Sequence, residues 1–389
     1  MRDNFSSFGI MKHYHYIFAG LGLAALMTAY KMAVSGRFAG KDILLIDPNE
    51  KNANDRTWCF WEQGNGNWDS IMFRNWKTAL FKNADFSREL DFGGYQYKMV
   101  RGADFYRFVL AELGKHPNIT FAREKVVRFE DTGTQVLIKT EADSYTCDKL
   151  FNSIYNPGLP ASQNKYPVLQ QHFIGWHVKT TTPVFNADVP TFMDFSIPQQ
   201  GNTRFMYVLP FSAIEAIVEY TLFSKDLLPA EEYEAAITAY LKNLGTTEYE
   251  ILDKERGSIP MTSYKFWKQN TKNILHIGSA GGWTKASTGY TFRNSDKLSG
   301  RLVQFLQQGS NFSAFYKPSK FWLYDLLLLD ILARTNEKGG PIFSAMFRKG
   351  EAAPIFKFLD DETSLAEDLG VIWRCPKGLF VKTLLRRLF

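Results

Sequence analysis

Three groups of residues have the types and spacing to do chemistry. The first is Gly20-Leu21-Gly22-Leu23-Ala24-Ala25, which follows a β-prone run at 14–19 and opens a stretch of helical spacing at 26–34. A second apolar run, 43–46, ends in Asp47. Gly20 permits a sharp strand-to-helix turn, Gly22 lets a pyrophosphate reach backbone N–H groups at the positive end of the helix, and Ala25 lets helix and strand pack closely. Asp47, 27 residues after Gly20, is placed to meet an adenosine ribose hydroxyl. The second group is Gly278-Ser279-Ala280-Gly281-Gly282, which follows the buried run 274–277 and precedes Ser287-Thr288-Gly289-Tyr290. Two such turns suit one extended cofactor held at both ends, with Gly278, Ala280, Gly281 and Gly282 at the second; the alternative is a glycine-rich surface loop. FAD is favoured over NAD, because the unit stands ahead of a long mixed β/α chain. Arg56 and Arg101 are further candidate cofactor contacts, and each reads equally as an ordinary exposed arginine.

The third group is Glu219 in the run Ile217-Val218-Glu219-Tyr220-Thr221, with Asp194 upstream in Phe192-Met193-Asp194-Phe195. Alternation along a strand puts Glu219 on one face with Ile217, Thr221 and Phe223, and Val218, Tyr220 and Leu222 on the other. A carboxyl held among apolar side chains has a raised pKa and can act as a general acid; a partly exposed strand glutamate is the plainer reading.

These residues need elements to position them. Beyond the first βαβ unit, strands are expected at 78–82 and 95–100, and a helix at 101–115 carries Phe105, Phe108, Val109 and Leu113 on one face. Residues 119–151 alternate short β runs with turns and read as a small sheet covering the cofactor domain. From 166 to 223 the chain is β-rich, with strands at 171–179, 191–195, 204–209 and 216–223, and 229–244 is an amphipathic helix behind Pro229. Residues 321–389 are helical, apolar on one side and basic at the end, and suit either a membrane surface or packing on the domain. The expected fold class is α/β: a Rossmann-type FAD-binding domain (9–165 and 270–310) interleaved with a mixed β-sheet substrate domain (166–269), followed by a helical C-terminal region (311–389) with possible membrane contact.

Composition narrows the function. At 389 residues the chain exceeds the roughly 250–300 at which single cores stop growing. Lys and Arg outnumber Asp and Glu by 46 to 40, a mild excess that argues against a nucleic-acid binder and permits contact with an anionic membrane. Three scattered cysteines indicate neither a disulfide framework nor a zinc site and fit a reducing cytoplasm, and the six histidines lack metal-ligand spacing, so no metal is expected. Residues 1–8 are polar, unlike a signal peptide, and read as a disordered lead-in. No run reaches the roughly 20 apolar residues that span a bilayer. The 33 Phe, 18 Tyr and 9 Trp are more flat apolar surface than a nucleotide fold needs, which suits a long apolar cavity or a membrane-facing patch.

Taken together, the turn 20–25, Asp55-Arg56-Thr57-Trp58-Cys59-Phe60-Trp61-Glu62, Gln171-His172-Phe173-Ile174-Gly175-Trp176, Met193-Asp194-Phe195, Leu209-Pro210-Phe211-Ser212, Val218-Glu219-Tyr220-Thr221 and 278–290 resemble the FAD-dependent lycopene β-cyclases over nearly the whole chain. The resemblance implies that Glu219 is the catalytic acid, since it aligns with the first glutamate of that family's Phe-Leu-Glu-Glu-Thr-like motif, and gives Asp194 a positioning or proton-exchanging part. It implies reduced FAD, NAD(P)H as reductant, lycopene or a related carotenoid as substrate, and a cytoplasmic protein peripheral to the inner membrane. The implied reaction is non-redox cyclisation of lycopene ends to β-ionone rings. An FAD-dependent monooxygenase acting on an apolar isoprenoid and a non-catalytic carotenoid carrier are the alternatives. Three positions depart from the family pattern: Tyr220 replaces a second acid, Asn152-Ser153-Ile154 replaces an Asp and Arg pair, and Lys285-Ala286-Ser287 lacks a proline.

Overall fold

The computed structural model describes residues 11–309 and 311–388, so the lead-in expected at 1–8 lies outside the described residues. The nucleotide sheet is built on five parallel strands in the spatial order Ile119–Ala122, Ile43–Ile46, Lys12–Ala19, Ser144–Asn152, Ile274–His276. In chain order that is 3-2-1-4-5, the doubly wound arrangement in which ligands bind beyond the carboxyl ends of the strands. Ile43–Ile46 is buried at all four positions, as a strand covered on both faces must be. Residues 119–151 therefore do not form a separate covering sheet. Ser144–Asn152 is long enough to serve two partners: its first half pairs antiparallel with the strand Val136–Thr140, and its last three residues pair parallel with Ile274–His276. Only the hairpin Val126–Asp131 and Val136–Thr140 is an antiparallel addition.

The helices Leu23–Val34 and Phe292–Gln308 lie side by side beneath this sheet. Ala24, Ala25 and Ala29 keep the first helix slim, and Thr28 and Ser299 meet at 2.9 Å between hydroxyl oxygens.

The second sheet runs Tyr249–Met261, Leu169–Thr180, Glu215–Ser224, Thr203–Pro210, Thr191–Asp194, Thr78–Asn83, Phe86–Asp91. Its last two strands come from the first quarter of the chain, and Thr78–Asn83 pairs parallel with Thr191–Asp194 while the other neighbours are antiparallel. Val218, Tyr220 and Leu222 pack against Tyr233, Ile237 and Tyr240 of the helix Ala230–Asn243. The opposite face, carrying Glu219, is the floor of the cavity described below. The strands Thr57–Gln63, Tyr95–Arg101 and Arg74–Trp76 make a third, small sheet between the other two.

The C-terminal region is helical, as expected: Lys320–Arg334, Gly339–Phe347, Ala353–Leu359, Leu365–Ile372 and Lys377–Leu388. Phe343, Phe347, Ile355 and Phe356 share one apolar cluster with Phe192, Phe205 and Trp61, so the middle helices roof the substrate side. Among the described residues no helix is long and apolar enough to cross a membrane. A buried ion cluster fastens the region to the second glycine segment. Lys285, 5% exposed, reaches Asp325 at 2.9 Å and Asp361 at 2.7 Å. Burial alone would favour loss of its proton, but the two carboxylates outweigh that and hold the ammonium above the ordinary lysine range. Its backbone also braces the next turn, accepting from Gly289 N–H and donating to Tyr290 O, both at 2.9 Å. Lys285→Ala strands the Asp325 carboxylate in the interior, while Asp361 can turn to solvent, and should lower unfolding stability by about 3 kcal/mol, read as a drop in the denaturation midpoint.

Candidate active site

The cavity has a volume of about 470 Å³ and runs from the first glycine turn to the floor of the second sheet. At one end lie Gly22 and Ala24 at the start of the helix Leu23–Val34, with Ser153, Gly278 and Ser279 facing them. Among the described residues no side chain caps this helix, and no acid lies in its first turn, so the N–H groups that open it are left for a ligand. The approach is close. Gly20 has φ +82°, and a Cβ there would stand 3.1 Å from Ile154; one on Gly278, φ +59°, would stand 3.3 Å from the methyl of Ala24. Lys51, Asp55 and Arg56 line the adjoining wall. Further along, Gln171 Oε1 and Thr288 Oγ1 are buried on the lining with no hydrogen-bond partner among the described residues. A polar cofactor edge would satisfy both, since buried polar atoms in native structures are seldom left unpaired. These residues fit a dinucleotide carrying a ring system.

The other end is aromatic. Tyr97, Phe173, Phe192, Phe205, Phe223 and Phe347 are part of its lining. Strand register sets a single rung across its floor: Glu255 opposite Gly175, Gly175 opposite Glu219, Glu219 opposite Tyr207. With strands about 4.8 Å apart, the Cα atoms of the two glutamates stand roughly 10 Å from each other. Gly175 keeps the space between them open: a Cβ there would sit in ordinary contact with Glu219, 3.5 Å from its Cβ, and a larger side chain would fill the gap.

Glu219 keeps some accessible surface only because the cavity lies in front of it. Burial pushes its carboxyl up to about 8; a hydrogen bond donated by Thr221 works against that, and the charge of Glu255 adds to it. Glu255 is itself raised, by burial first, although it accepts from the Thr57 N–H at 3.1 Å and lies near Arg56. Tyr207 belongs to a buried hydroxyl group, with Tyr97 Oη 2.6 Å from Tyr207 Oη and 3.2 Å from Tyr290 Oη. Burial holds all three phenols above their ordinary range and lifts the neighbouring Cys59 thiol to about 12, so these groups stay neutral.

The other residues singled out from the sequence divide. Arg56 and Gly278 line the cavity. Asp47 lies at the edge of the turn: its carboxylate accepts from Leu21 N–H at 2.7 Å and from Asn49 N–H at 2.9 Å, and pairs with the cavity-lining Lys51 at 3.3 Å. Gly20 and Ala25 shape the turn from behind, Ala25 fully buried. Ala280, Gly281 and Gly282 form the short helical turn Gly278–Gly281 and its left-handed exit, away from the cavity wall; a Cβ on Gly281 would stand 2.1 Å from His276 O. Arg101 is not brought to the site: it binds Asp104 at 2.7 Å and stacks over Phe73. Asp194 is not at the site either. The bulged strand Thr191–Asp194 turns Phe192 and Met193 to the cavity and Asp194 to the helix side, where it accepts from Tyr240 Oη at 2.9 Å and from the Ser196 backbone N–H at 2.9 Å. It has no contact with Glu219 through which to position it or exchange a proton. Tyr220 also faces away, its hydroxyl accepting from Arg204 at 2.8 Å, so its departure from an acid leaves the cavity unchanged. Sequence reasoning missed Glu255, Lys51 and Ser153. The only signal for Glu255 was the alternation Glu255, Gly257, Ile259 within a strongly charged edge strand.

The profile of the lycopene cyclase proteins matches residues 16–385. A lycopene beta-cyclase of Pseudescherichia vulneris is 24% identical over 310 residues, 76% of this chain and 74% of that protein. One from Pantoea ananas is 22% identical over 307 residues, 75% and 74%. One from a Paracoccus strain is 30% identical over 126 residues, only 31% and 32%. Among solved structures, a flavoprotein/dehydrogenase from Cytophaga hutchinsonii superposes with a TM-score of 0.62 at 12% identity, covering 96% of this chain and 99% of that one. A geranylgeranyl bacteriochlorophyll reductase-like protein from Thermoplasma acidophilum gives 0.60 at 12%, covering 97% and 100%. A halogenase PltM variant in complex with FAD gives 0.56 at 10%, covering 89% and 78%. At such identities the likeness concerns the fold, a Rossmann-type FAD-binding fold with a helical C-terminal region. The profile match runs over nearly the whole sequence, and this chain belongs to the lycopene cyclase family.

Proposed function

We propose that the protein is a lycopene beta-cyclase, and the observation that carries this reading is a carboxyl, Glu219, enclosed on the floor of an aromatic cavity that continues to the two glycine turns, where burial pushes it up to about 8. A hydrocarbon offers no polar handle, so Phe173, Phe192, Phe205 and Phe223 bind by burial and shape. Glu219 gives its proton to the terminal C=C, the next double bond closes the six-membered ring on the resulting tertiary cation, and loss of a ring proton leaves the β-ring. No electrons are gained or lost overall. The aromatic faces stabilise the cation, and the neutral phenols of Tyr97, Tyr207 and Tyr290 offer it no anion to capture. FAD would be held by the N–H groups at Gly22 to Ala24, by Lys51 and Arg56, and by Ser153, Gly278 and Ser279. In its reduced form, with NAD(P)H as reductant, it would supply negative charge beside the cation.

Carotenoids dissolve in bilayers, and the surface suits a protein that sits on the cytoplasmic face of the inner membrane. Leu365, Leu369 and Trp373 recur four residues apart and are 68%, 63% and 71% exposed; Val381, Leu385 and Leu388 make a second exposed stripe on the helix Lys377–Leu388. Lys377, Lys382 and Arg386 flank that stripe, as on helices that lie in a membrane interface.

Under strict anaerobiosis with reduced flavin and lycopene, the wild-type protein should form rings with no consumption of oxygen or NAD(P)H beyond flavin reduction; oxygen-dependent, stoichiometric NAD(P)H use would instead make it a monooxygenase. Glu219→Gln should lower ring formation by roughly 10²–10⁴-fold while flavin absorbance stays with the protein. Retained cyclisation, measured by pigment chromatography, would reject Glu219 as the acid.

The same carboxyl sets a pH dependence of stability. Its folded value of about 8 lies above the ordinary 4.5, so the folded chain holds the proton more tightly than the unfolded one. Stability from this group is greatest below pH 4.5 and is lost at up to about 1.4 kcal/mol per pH unit as the pH rises toward 8. Glu219→Gln removes that slope, so in chemical denaturation the variant should overtake the wild type in stability at pH 8 and above.

A further inference from the structure

A second hollow, of about 350 Å³, lies at the outer end of the C-terminal helix, remote from the cofactor and substrate cavity. Three separate segments build it: Asn164 and Lys165 from the loop before the strand Leu169–Thr180, Asp330 and Arg334 from the end of Lys320–Arg334, and Arg386 and Arg387 from Lys377–Leu388. Its one acid is spoken for. Asp330 is 4% exposed and takes a two-pronged hydrogen bond from Arg387, 2.5 Å at each oxygen, and Arg387 also donates to Lys165 O at 2.6 Å. That bridge fixes the floor and ties the loop to the helix. Lys165, Arg334 and Arg386 remain around the rim, and none has a carboxylate partner among the described residues.

We propose that this hollow binds the phosphate of an anionic lipid headgroup, an inference that rests on the membrane-surface reading given above. Two observations carry it together. The first is the chemistry: two arginines and a lysine line one hollow whose acid is already paired with Arg387, and the arginines carry the forked donors that match phosphate oxygens. The second is position. Arg386 is about 100° around the helix from Leu385 and about 140–160° from Val381 and Leu388, so the hollow opens on the side of the helix away from the exposed stripe, one helix diameter of about 10 Å from it. With that stripe in the acyl boundary, the rim cations stand at the depth of the headgroups, where anionic lipid attracts basic residues most strongly. A free phosphate would meet the same cations, but nothing about it would call for the neighbouring apolar stripe.

The test uses the full chain in flotation with phosphatidylcholine vesicles, with and without phosphatidylglycerol. The triple variant Lys165→Gln, Arg334→Gln, Arg386→Gln keeps Arg387 and the Asp330 bridge. It should lose on the order of a hundredfold in partitioning to phosphatidylglycerol vesicles, about fivefold per cation, and be unchanged on phosphatidylcholine alone. Leu369→Ser with Leu385→Ser should weaken binding to both vesicles. Lys377→Gln with Lys382→Gln, on the same helix but outside the hollow, should cost clearly less per charge; an equal cost means a diffuse field and overturns the site. Undiminished binding by the triple variant overturns the hollow and leaves the membrane reading standing, whereas wild-type protein that binds neither vesicle overturns both. Titration with inorganic phosphate is the last arm: tight binding that the triple variant loses, without preference for phosphatidylglycerol, would assign the hollow to a soluble anion and overturn the lipid.

Discussion

A carboxyl that is cheaper to keep neutral than to ionise is the constraint on which the rest of this structure turns. Glu219 is neutral because water is kept from it, and water is kept from it by a continuous sheet beneath, aromatic walls, and helices from the C-terminal region above. Each of those layers has to be assembled before the residue has any unusual chemistry; the same glutamate on an exposed strand would be an ordinary anion. Gly175 shows how local the requirement is. A large side chain at that one position would fill the gap between Glu219 and Glu255, the part of the floor where two carboxyls share an apolar space.

The cavity also reconciles two solvents. One end offers backbone N–H groups, Lys51 and Arg56 to an anion, and the other offers rings to a hydrocarbon. Gln171 and Thr288, buried and unpaired on the wall, mark where the two environments meet. The segment that carries Thr288 lacks the proline common in the family before its Ser-Thr-Gly-Tyr run, and it is held by Lys285. A proline would stiffen that turn through its ring; here a buried ion cluster to Asp325 and Asp361 does so through the C-terminal helices. The turn's geometry thus depends on residues far along the chain.

Much of this was legible in the sequence wherever periodicity and burial agree. The first βαβ unit, the alternation of residues 217–223 and the stripe of the helix behind them follow from spacing, and Glu219 came out on the face expected for it. Positions failed to read where register or bulging decides the facing. The bulge beside Asp194 reverses the side on which that carboxylate emerges, and the helix-start position of Arg101 is occupied by a local pair with Asp104. Glu255 sits in a strand so charged that its alternation is masked, and only the pairing of that strand across Gly175 shows where it points. Residues 119–151 misled for another reason: a strand that pairs antiparallel over its first half and parallel at its end, on the same side, has no sequence signature marking where the partner changes.

The two sheets are threaded through each other. Thr78–Asn83 completes the second sheet by pairing with Thr191–Asp194, more than a hundred residues later, and Ile274–His276 completes the first by pairing with Ser144–Asn152. Neither sheet can close while the chain is still emerging past its middle, and neither can be cut out as a unit. Distant pairings of this kind slow folding, because loop entropy is spent before the contacts form. During synthesis Thr78–Asn83 therefore waits for its partner until residues near 194 are available, and the nucleotide sheet waits for its fifth strand until residues near 276; strand edges left open over such intervals are where a chain of this kind is exposed to mispairing.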